Sequence, residues 1–326
     1  MADNYQKPDL FMLRQVHALI SEQVHQTPVV HSEQISALCG GPVFFKCENL
    51  QKVGAFKFRG ASAALALCSP ETLKKGVTTH SSGNHAQALA RAARERGIPA
   101  WIVMPENAPQ VKKNAVKGYG AEIVECEATL EARERSLAKV QSETGAHFVH
   151  PYNDIRVIAG QATATLELLE QAPKLDYLLA PVGGGGLLSG SALAAHFLSP
   201  QTQVIGCEPQ GADDAFRSFQ AKQLLPSVAP KTICDGLLTS LGSLTFPLIL
   251  EYVQAIYCVG ESEIIAAMRL IWERLKLVIE PSAAVPLAVL LSGQLSLKGK
   301  SAAVILSGGN LDLGLLPWAS GAEGQA

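Results

Sequence analysis

Gly54-Ala55-Phe56-Lys57-Phe58-Arg59-Gly60 sets a lysine between two phenylalanines and fences the group with glycines. Exposed lysines sit mostly among polar neighbours, and burying an ammonium without a partner is costly. Low-dielectric walls lower a lysine pKa because they disfavour the charged form. A neutral amine is what attacks a carbonyl to form an imine. Lys57 therefore reads as the carrier of an aldehyde cofactor held as a Schiff base. The competing reading is an amphipathic lysine whose stem covers apolar surface while its head reaches water. The heptapeptide alone leaves both open.

Three further stretches favour the cofactor. Ser81-Ser82-Gly83-Asn84-His85 follows the β-prone run Val77-Thr78-Thr79-His80 and precedes a helical pattern. Gly183-Gly184-Gly185-Gly186 follows Leu178-Leu179-Ala180-Pro181-Val182 and precedes a helical pattern over 187–198. Ser307-Gly308-Gly309-Asn310 follows the buried-strand run Ala302-Ala303-Val304-Ile305-Leu306. In this order and spacing the four stretches resemble the fold-type-II pyridoxal-phosphate enzymes. The nearest branch holds serine racemase, threonine (serine) dehydratase and threo-3-hydroxyaspartate ammonia-lyase. The resemblance runs from His25-Gln26-Thr27-Pro28 to Asn310. It implies an α/β fold of the tryptophan synthase β type, with two open twisted, mainly parallel sheets and helices on both faces.

The pattern along the chain agrees with that architecture. An opening helix is expected over 9–25, ended by the approach to Pro28. A strand over 42–48 leads to a loop bearing Lys57, and helical periodicity resumes over 61–67. Strands are expected at 76–80, 100–105 and 121–126, alternating with helices at 85–96, 109–117 and 129–143. A second series has strands at 176–182, 202–207 and 302–306. Such alternation argues for parallel sheets flanked by helices. We expect a large cofactor-binding domain from 1–75 and 153–326, with a small domain, 76–152, inserted in it. Ligands of open parallel sheets sit beyond the carboxyl ends of the strands, so one cleft between the domains can gather all four motifs. The short tail after Asn310 leaves no room for the regulatory domain of biosynthetic threonine dehydratases, so feedback inhibition by isoleucine is not expected.

Bulk composition narrows the partners. The 326 residues are 48% hydrophobic and 17% charged, a globular balance with a well-filled interior. A net charge of −2 gives no reason to expect nucleic acid or an anionic membrane surface. The residues from Met1 to Pro8 lack the basic-then-apolar pattern of a secretory leader, and no apolar run reaches the length of a membrane span. The seven cysteines (Cys39, Cys47, Cys68, Cys126, Cys207, Cys234 and Cys258) are scattered, with no C-x-x-C pair. They suggest neither a disulfide framework nor a zinc site, but free thiols in a reducing cytoplasm.

The tetraglycine turn reads as a phosphate anchor. Residues without side chains let backbone N–H groups approach phosphate oxygens, and the following helix adds the positive end of its dipole. By resemblance, Gly183, Gly184, Gly185, Gly186 and Leu187 hold the phosphate of pyridoxal 5′-phosphate. Phe56 packs near its ring, Asn84 bonds its phenolic oxygen, Gly236 backs it and Ser307 faces the pyridine nitrogen. A neutral hydroxyl there cannot stabilise a fully protonated ring as an aspartate would, which favours elimination or proton return over transamination. Glu280, in Glu280-Pro281-Ser282, is expected to orient the ring through its surroundings. The substrate carboxylate is assigned to Ser81, Ser82, Asn84 and His85, near a helix start. Cys234, in Thr232-Ile233-Cys234-Asp235-Gly236, stands where the family usually has alanine.

The resemblance also implies a mechanism. Lys57, released by an incoming amino acid, acts as base on one face and removes the α-proton, and the cofactor delocalises the charge. With a β-hydroxyl present, water leaves and a keto acid and ammonia result; reprotonation from the other face, for which Ser82 is the candidate acid, inverts the α-carbon. Threonine-type dehydratases usually read Ser-Ala-Gly-Asn-His at this loop, whereas racemases and hydroxyaspartate lyases read Ser-Ser-Gly-Asn-His, as here. Arg133 matches an arginine that those two classes carry near the cleft; it also reads as one solvated charge among Glu131, Glu134 and Arg135. Glu208, the carbonyl of Ala212 and Asp214 match an oxygen-only loop for Mg²⁺, or for Ca²⁺ or Mn²⁺. Gln87, Tyr119, Lys276 and Asn310 match positions that bind ATP as an effector in animal racemases, although Val53 replaces the usual threonine. The expected activity is a serine racemase/dehydratase acting on small β-hydroxy amino acids, as a homodimer. The alternatives are L-threonine ammonia-lyase and threo-3-hydroxyaspartate ammonia-lyase. A β-replacement synthase is disfavoured because its Thr-Ser-Gly-Asn-Thr loop is missing.

Overall fold

The computed structural model describes residues 7–318. Residues 1–6 and 319–326, which include most of the stretch searched for a leader and the glycine-containing tail, lie outside the described residues. The described residues hold ten strands: β1 (Val29–His31), β2 (Val43–Lys46), β3 (Val77–His80), β4 (Ala100–Pro105), β5 (Glu122–Cys126), β6 (His147–Phe148), β7 (Tyr177–Pro181), β8 (Gln203–Pro209), β9 (Ala255–Val259) and β10 (Ala302–Ile305). Six form one sheet in the order β1-β2-β10-β7-β8-β9, and four form a second in the order β5-β4-β3-β6. Every pairing is parallel except β1 with β2. The central strands are apolar on both faces: every residue of β7 and β10 is buried, as expected where helices cover both sides of a parallel sheet.

The apolar clusters explain how the two sheets stay together. One cluster joins Leu13 and Ile20 of the first helix to Leu65, Leu89, Ile102 and Leu166, so it runs without a break from one sheet's helices to the other's. Helix Asn84–Glu95, which follows β3, packs on helix Lys57–Ala66 through alanines that let the backbones approach. No helix of the described residues is long and apolar enough to cross a membrane.

Most expected elements are present within a residue or two, and four details differ. The helix after the lysine begins at Lys57 itself, not at Ala61; the apolar series Phe58, Ala61, Leu65 carries the periodicity back to the motif. The opening helix stops at Ile20 rather than near His25, because the Gln51 side chain binds both the N–H and the C=O of His25 (2.9 and 2.8 Å) and draws the chain out of helical geometry. The strand expected over 42–48 ends at Lys46 and is followed by a 3-10 turn, Glu48–Leu50. Strands β1, β6 and β9 had no counterpart among the expected strands. Strand β9, Ala-Ile-Tyr-Cys-Val, has ordinary β-forming composition, whereas the three residues of β1 gave no signal.

Candidate active site

Parallel pairing of β2, β10, β7 and β8 brings their carboxyl ends to one edge of the large sheet, and β3 and β4 do the same in the small one. Each motif leaves its sheet at such an end. The Phe56 N–H donates to the Ser307 carbonyl (3.0 Å), and Ala55 pairs with Gly308 in an isolated antiparallel bridge. The lysine turn is thereby stitched to the segment after β10. Lys57 Nζ donates to the Pro151 carbonyl (3.0 Å) and lies 5.1 Å from the centre of the Phe56 ring. Burial lowers its pKa to about 8 against a smaller opposing pull from Glu280. The expected second aromatic wall is not there: Phe58 is wholly buried, and Lys52, not Lys57, lies over its ring at 5.4 Å. A helix beginning at Lys57 turns successive side chains about 100° apart, so Phe58 faces the core while Lys57 does not.

Glu280 organises the other side of the site. Its buried carboxylate accepts from Asn84 Nδ2 (3.0 and 3.1 Å) and from the Asn310 N–H (3.2 Å). Asn84 Oδ1 in turn accepts from Asn310 Nδ2 (2.9 Å), which also reaches the Val53 carbonyl (2.7 Å). Burial, and then the charge of Asp235, raise the pKa of Glu280 to about 7. Two motifs distant in sequence thus meet at one carboxylate, and Asn310 ties them to Val53 beside the lysine turn. Val53 holds a left-handed conformation (φ 56°) at this junction, a costly one for a β-branched residue.

The glycine turn after β7 has the form of an anion cradle. Helix Gly186–Leu198 starts from Gly185 (φ 86°) with no side-chain cap, so its first N–H groups lack partners. A Cβ on Gly184 would fall 2.2 Å from Tyr152 Cδ1, and one on Gly183 would fall 2.9 Å from the Gly236 carbonyl. Glycine is therefore required by close approach at both positions. Leu187 is buried, and only its backbone is available to a ligand. Helix Asn84–Glu95 also lacks a side-chain cap, leaving the N–H groups of Asn84 and His85 open. The Ser307 side chain is 2% exposed and makes no hydrogen bond among the described residues. An amine of lowered pKa, a glycine cradle at a helix start and a lone buried hydroxyl fit an aldehyde bearing a phosphate and a basic ring nitrogen.

Other expected residues are placed as follows. The His85 ring is buried with Nε2 against the Val149 carbonyl (3.2 Å), so that nitrogen carries the proton, and burial brings its pKa down to about 3. Its backbone N–H, not its ring, is what the site offers. Ser81 and Ser82 are half-buried between β3 and that helix. Arg133 Nε rests on the Thr129 carbonyl (3.3 Å) and forms no ion pair among the described residues. Its charge is felt by His80 and Tyr152. Glu208 caps the helix Asp214–Ala221 through the N–H groups of Ala215 and Phe216 (3.0 and 2.7 Å). Asp214 is 1% exposed, and its carboxylate lies beside the Leu241 N–H and the Ser227 hydroxyl, short of full hydrogen-bond geometry with either. Burial raises Glu208 to about 8 and Asp214 to about 6. Two such carboxylates beside the buried Ala212 fit a hard divalent cation. No cluster of three metal-binding His, Cys, Asp or Glu side chains occurs among the described residues. Of the four nucleotide candidates, Asn310 is placed as above, Lys276 Nζ donates to the Glu273 carbonyl (2.7 Å), Tyr119 lies beneath Arg91, and Gln87 is buried.

The sequence reading missed two parts of this neighbourhood. The ladder of His80, Phe148, His150 and Tyr152 has ring centres 4.6–5.6 Å apart between successive members. His150 Nδ1 accepts from the N–H groups of Tyr152 and Asn153 (3.2 and 2.9 Å), so Nε2 bears the proton. The second is a sealed ionic cluster beneath the lysine helix. Arg59 binds Glu48 (2.7 and 2.9 Å) and Glu167 (2.6 and 2.8 Å), and Lys46 binds Glu167 (2.6 Å). Only Arg59 lay within a quoted motif, and nothing in the sequence pairs it with residue 167. A separate cavity of about 240 Å³ beside Arg94 and Tyr119 opens at the amino end of β4, at the edge opposite the motifs.

Parallel sheets that deliver an amine, an anion cradle and a buried hydroxyl to one place define a class, the fold-type-II enzymes built around pyridoxal phosphate. The chain belongs to the family described as pyridoxal-phosphate dependent enzyme, whose model matches residues 20–308. It is 50% identical to a beta-hydroxyaspartate dehydratase of Paracoccus denitrificans over 302 residues, 93% of this chain and 96% of that one. The crystal structure of serine racemase from Dictyostelium discoideum matches with a TM-score of 0.91 at 47% identity, over 94% of this chain and 99% of the other. The crystal structure of T.th. threonine deaminase matches with a TM-score of 0.89 at 43% identity, over 94% of this chain and 99% of the other.

Proposed function

We propose that the chain is a serine racemase/dehydratase that acts on small β-hydroxy amino acids. The observation that carries the reading is Lys57: an amine with a pKa of about 8 beside the Asn84–Glu280–Asn310 junction. Bound pyridoxal phosphate supplies an electron-withdrawing ring that acidifies the substrate α-C–H. Lys57 holds it, the N–H groups of 183–187 take its phosphate, Phe56 and Gly236 flank it, Asn84 meets its phenolic oxygen and Ser307 its ring nitrogen. The open N–H groups of Asn84 and His85, with the Ser81 and Ser82 hydroxyls, bind the substrate carboxylate. Lys57 accepts the α-proton. In elimination the β-hydroxyl leaves with a proton as water, and the net change converts serine to pyruvate and ammonia. In racemisation Ser82 returns a proton from the other face.

The supporting assignments belong to the same reading. Glu208, Ala212 and Asp214 hold Mg²⁺ or a similar ion, for which two buried carboxylates close in sequence to the buried Ala212 speak. ATP acts at Gln87, Tyr119, Lys276 and Asn310. The chain divides into 1–75 with 153–326 and an inserted 76–152, works as a homodimer and resides in the cytoplasm. The free state of all seven cysteines accords with that compartment.

Arg133 favours a second reading, turnover of threo-3-hydroxyaspartate, because a cation without a carboxylate partner near Tyr152 and His80 suits a β-carboxylate. The test is chiral product analysis with L-serine, L-threonine and L-threo-3-hydroxyaspartate, with and without Mg²⁺, for wild type and Arg133→Ala. Loss of a charge-assisted contact should cut kcat/KM for hydroxyaspartate about ten- to hundredfold more than for serine. Equal losses remove the special role of Arg133, and no turnover of any of the three removes the proposed activity.

A further inference from the structure

We propose that Lys112 and Asp235 form an ionic latch across the mouth of the active site, a positioning pair that ties the small sheet to the turn behind the cofactor. Lys112 lies in the first turn of helix Gln110–Gly118, which starts five residues after β4 and so at the motif edge of the small sheet. Asp235 opens the 3-10 turn Asp235–Leu237 on the large-sheet side. The two side chains are joined by a short ion pair, and they are 23% and 51% exposed. The helix cannot simply swing to follow the turn, because the neighbouring Lys113 is pinned to the Glu106 carbonyl and to Glu125 (both 2.7 Å).

The turn that Asp235 serves is a wall of the site. Gly236, next in sequence, has its carbonyl against Gly183 and its α-carbon facing Ser282 and Glu280. On its other flank the Ile233 N–H donates to Glu261 (3.0 Å), and the Cys234 N–H to the Thr232 hydroxyl (3.1 Å). The charges of both latch residues also register at Glu280, with opposite sign. Asp235 is therefore the outward handle of a segment whose inner side meets the phosphate turn and the Asn84–Glu280 junction. Pulling that handle toward Lys112 holds the two sheets' motif edges together over bound substrate. A partly exposed pair contributes modestly, so its effect belongs in substrate retention rather than in chemistry.

This inference rests on the proposed site, and the test separates the two. Lys112→Glu, Asp235→Lys and the double reversal are compared with wild type by pyruvate release from L-serine. They are also compared by hydrogen–deuterium exchange over 232–240 in the protein as purified. Each single reversal should raise KM about two- to tenfold with kcat within about twofold, and should speed exchange in that segment. The double reversal should recover most of both losses, which general damage would not. Single variants that match wild type, or a double variant no better than the worse single, overturn the latch. If wild type makes no pyruvate while the exchange pattern still shows loss and recovery, the proposed activity falls and the latch stands.

Discussion

Lys57 combines two properties that burial alone would not give. Its amine has lost enough solvent to bring its pKa to about 8, yet it keeps a single polar partner, the Pro151 carbonyl. At neutral pH about a tenth of such a group is uncharged, against fewer than one in a thousand for a free lysine. The sign follows directly: below pH 8 the amine is protonated and cannot attack an aldehyde, and above it the amine is free. The rate at which cofactor-free protein captures pyridoxal phosphate, read by absorbance, should therefore rise with pH through about 8. Glu280 is the charge that holds the amine up, so Glu280→Gln should move that midpoint lower. Lys57→Ala should leave no adduct that borohydride can fix.

At the scale of elements, the glycine turn and the lysine helix each carry a checkable constraint. A methyl at Gly184 would overlap the Tyr152 ring, so Gly184→Ala should lower both Tm and cofactor affinity. Removing the obstacle with Gly184→Ala/Tyr152→Ala should restore part of the Tm, whereas a loss due to backbone conformation would persist. Helix Lys57–Ala66 is anchored from below by Arg59, which binds Glu48 and shares Glu167 with Lys46 in a buried cluster of balanced charge. Burial opposes ionisation of Glu167, but hydrogen bonds from His17 and Arg59 hold its pKa at about 2. Arg59→Met would leave two carboxylates facing one lysine and should cost about 3–5 kcal/mol in urea unfolding. Arg59→Lys should lose less, though not nothing, because an ammonium cannot reproduce the two bidentate contacts.

On the scale of the whole molecule, one continuous apolar cluster supports both sheets, while the polar links between them converge on the active site. The candidate cation site lies at the end of β8, where Tyr152 feels the charge of Asp214. A cation that binds only the folded state raises stability by about 2.7 kcal/mol at a hundredfold excess over Kd. Mg²⁺ should accordingly raise the Tm of the wild type by several degrees, EDTA should reverse the gain, and Asp214→Asn should abolish it. A thermal shift that survives Asp214→Asn would place the ion elsewhere.

Local sequence determined a good deal. The motifs follow strands and three of them lead into helices, where glycine content, β-branched runs and helical periodicity are all short-range signals, and so the α/β alternation and the family were legible. Its reach ended where side-chain direction depends on the phase of a helix: Phe58 beside Lys57 was read as a wall and is instead core. Tertiary structure alone decided the partners. No local pattern couples Glu280 to residue 84, Arg59 to residue 167 or Lys112 to residue 235, because each pair is made by sheet order and helix packing across a hundred or more residues.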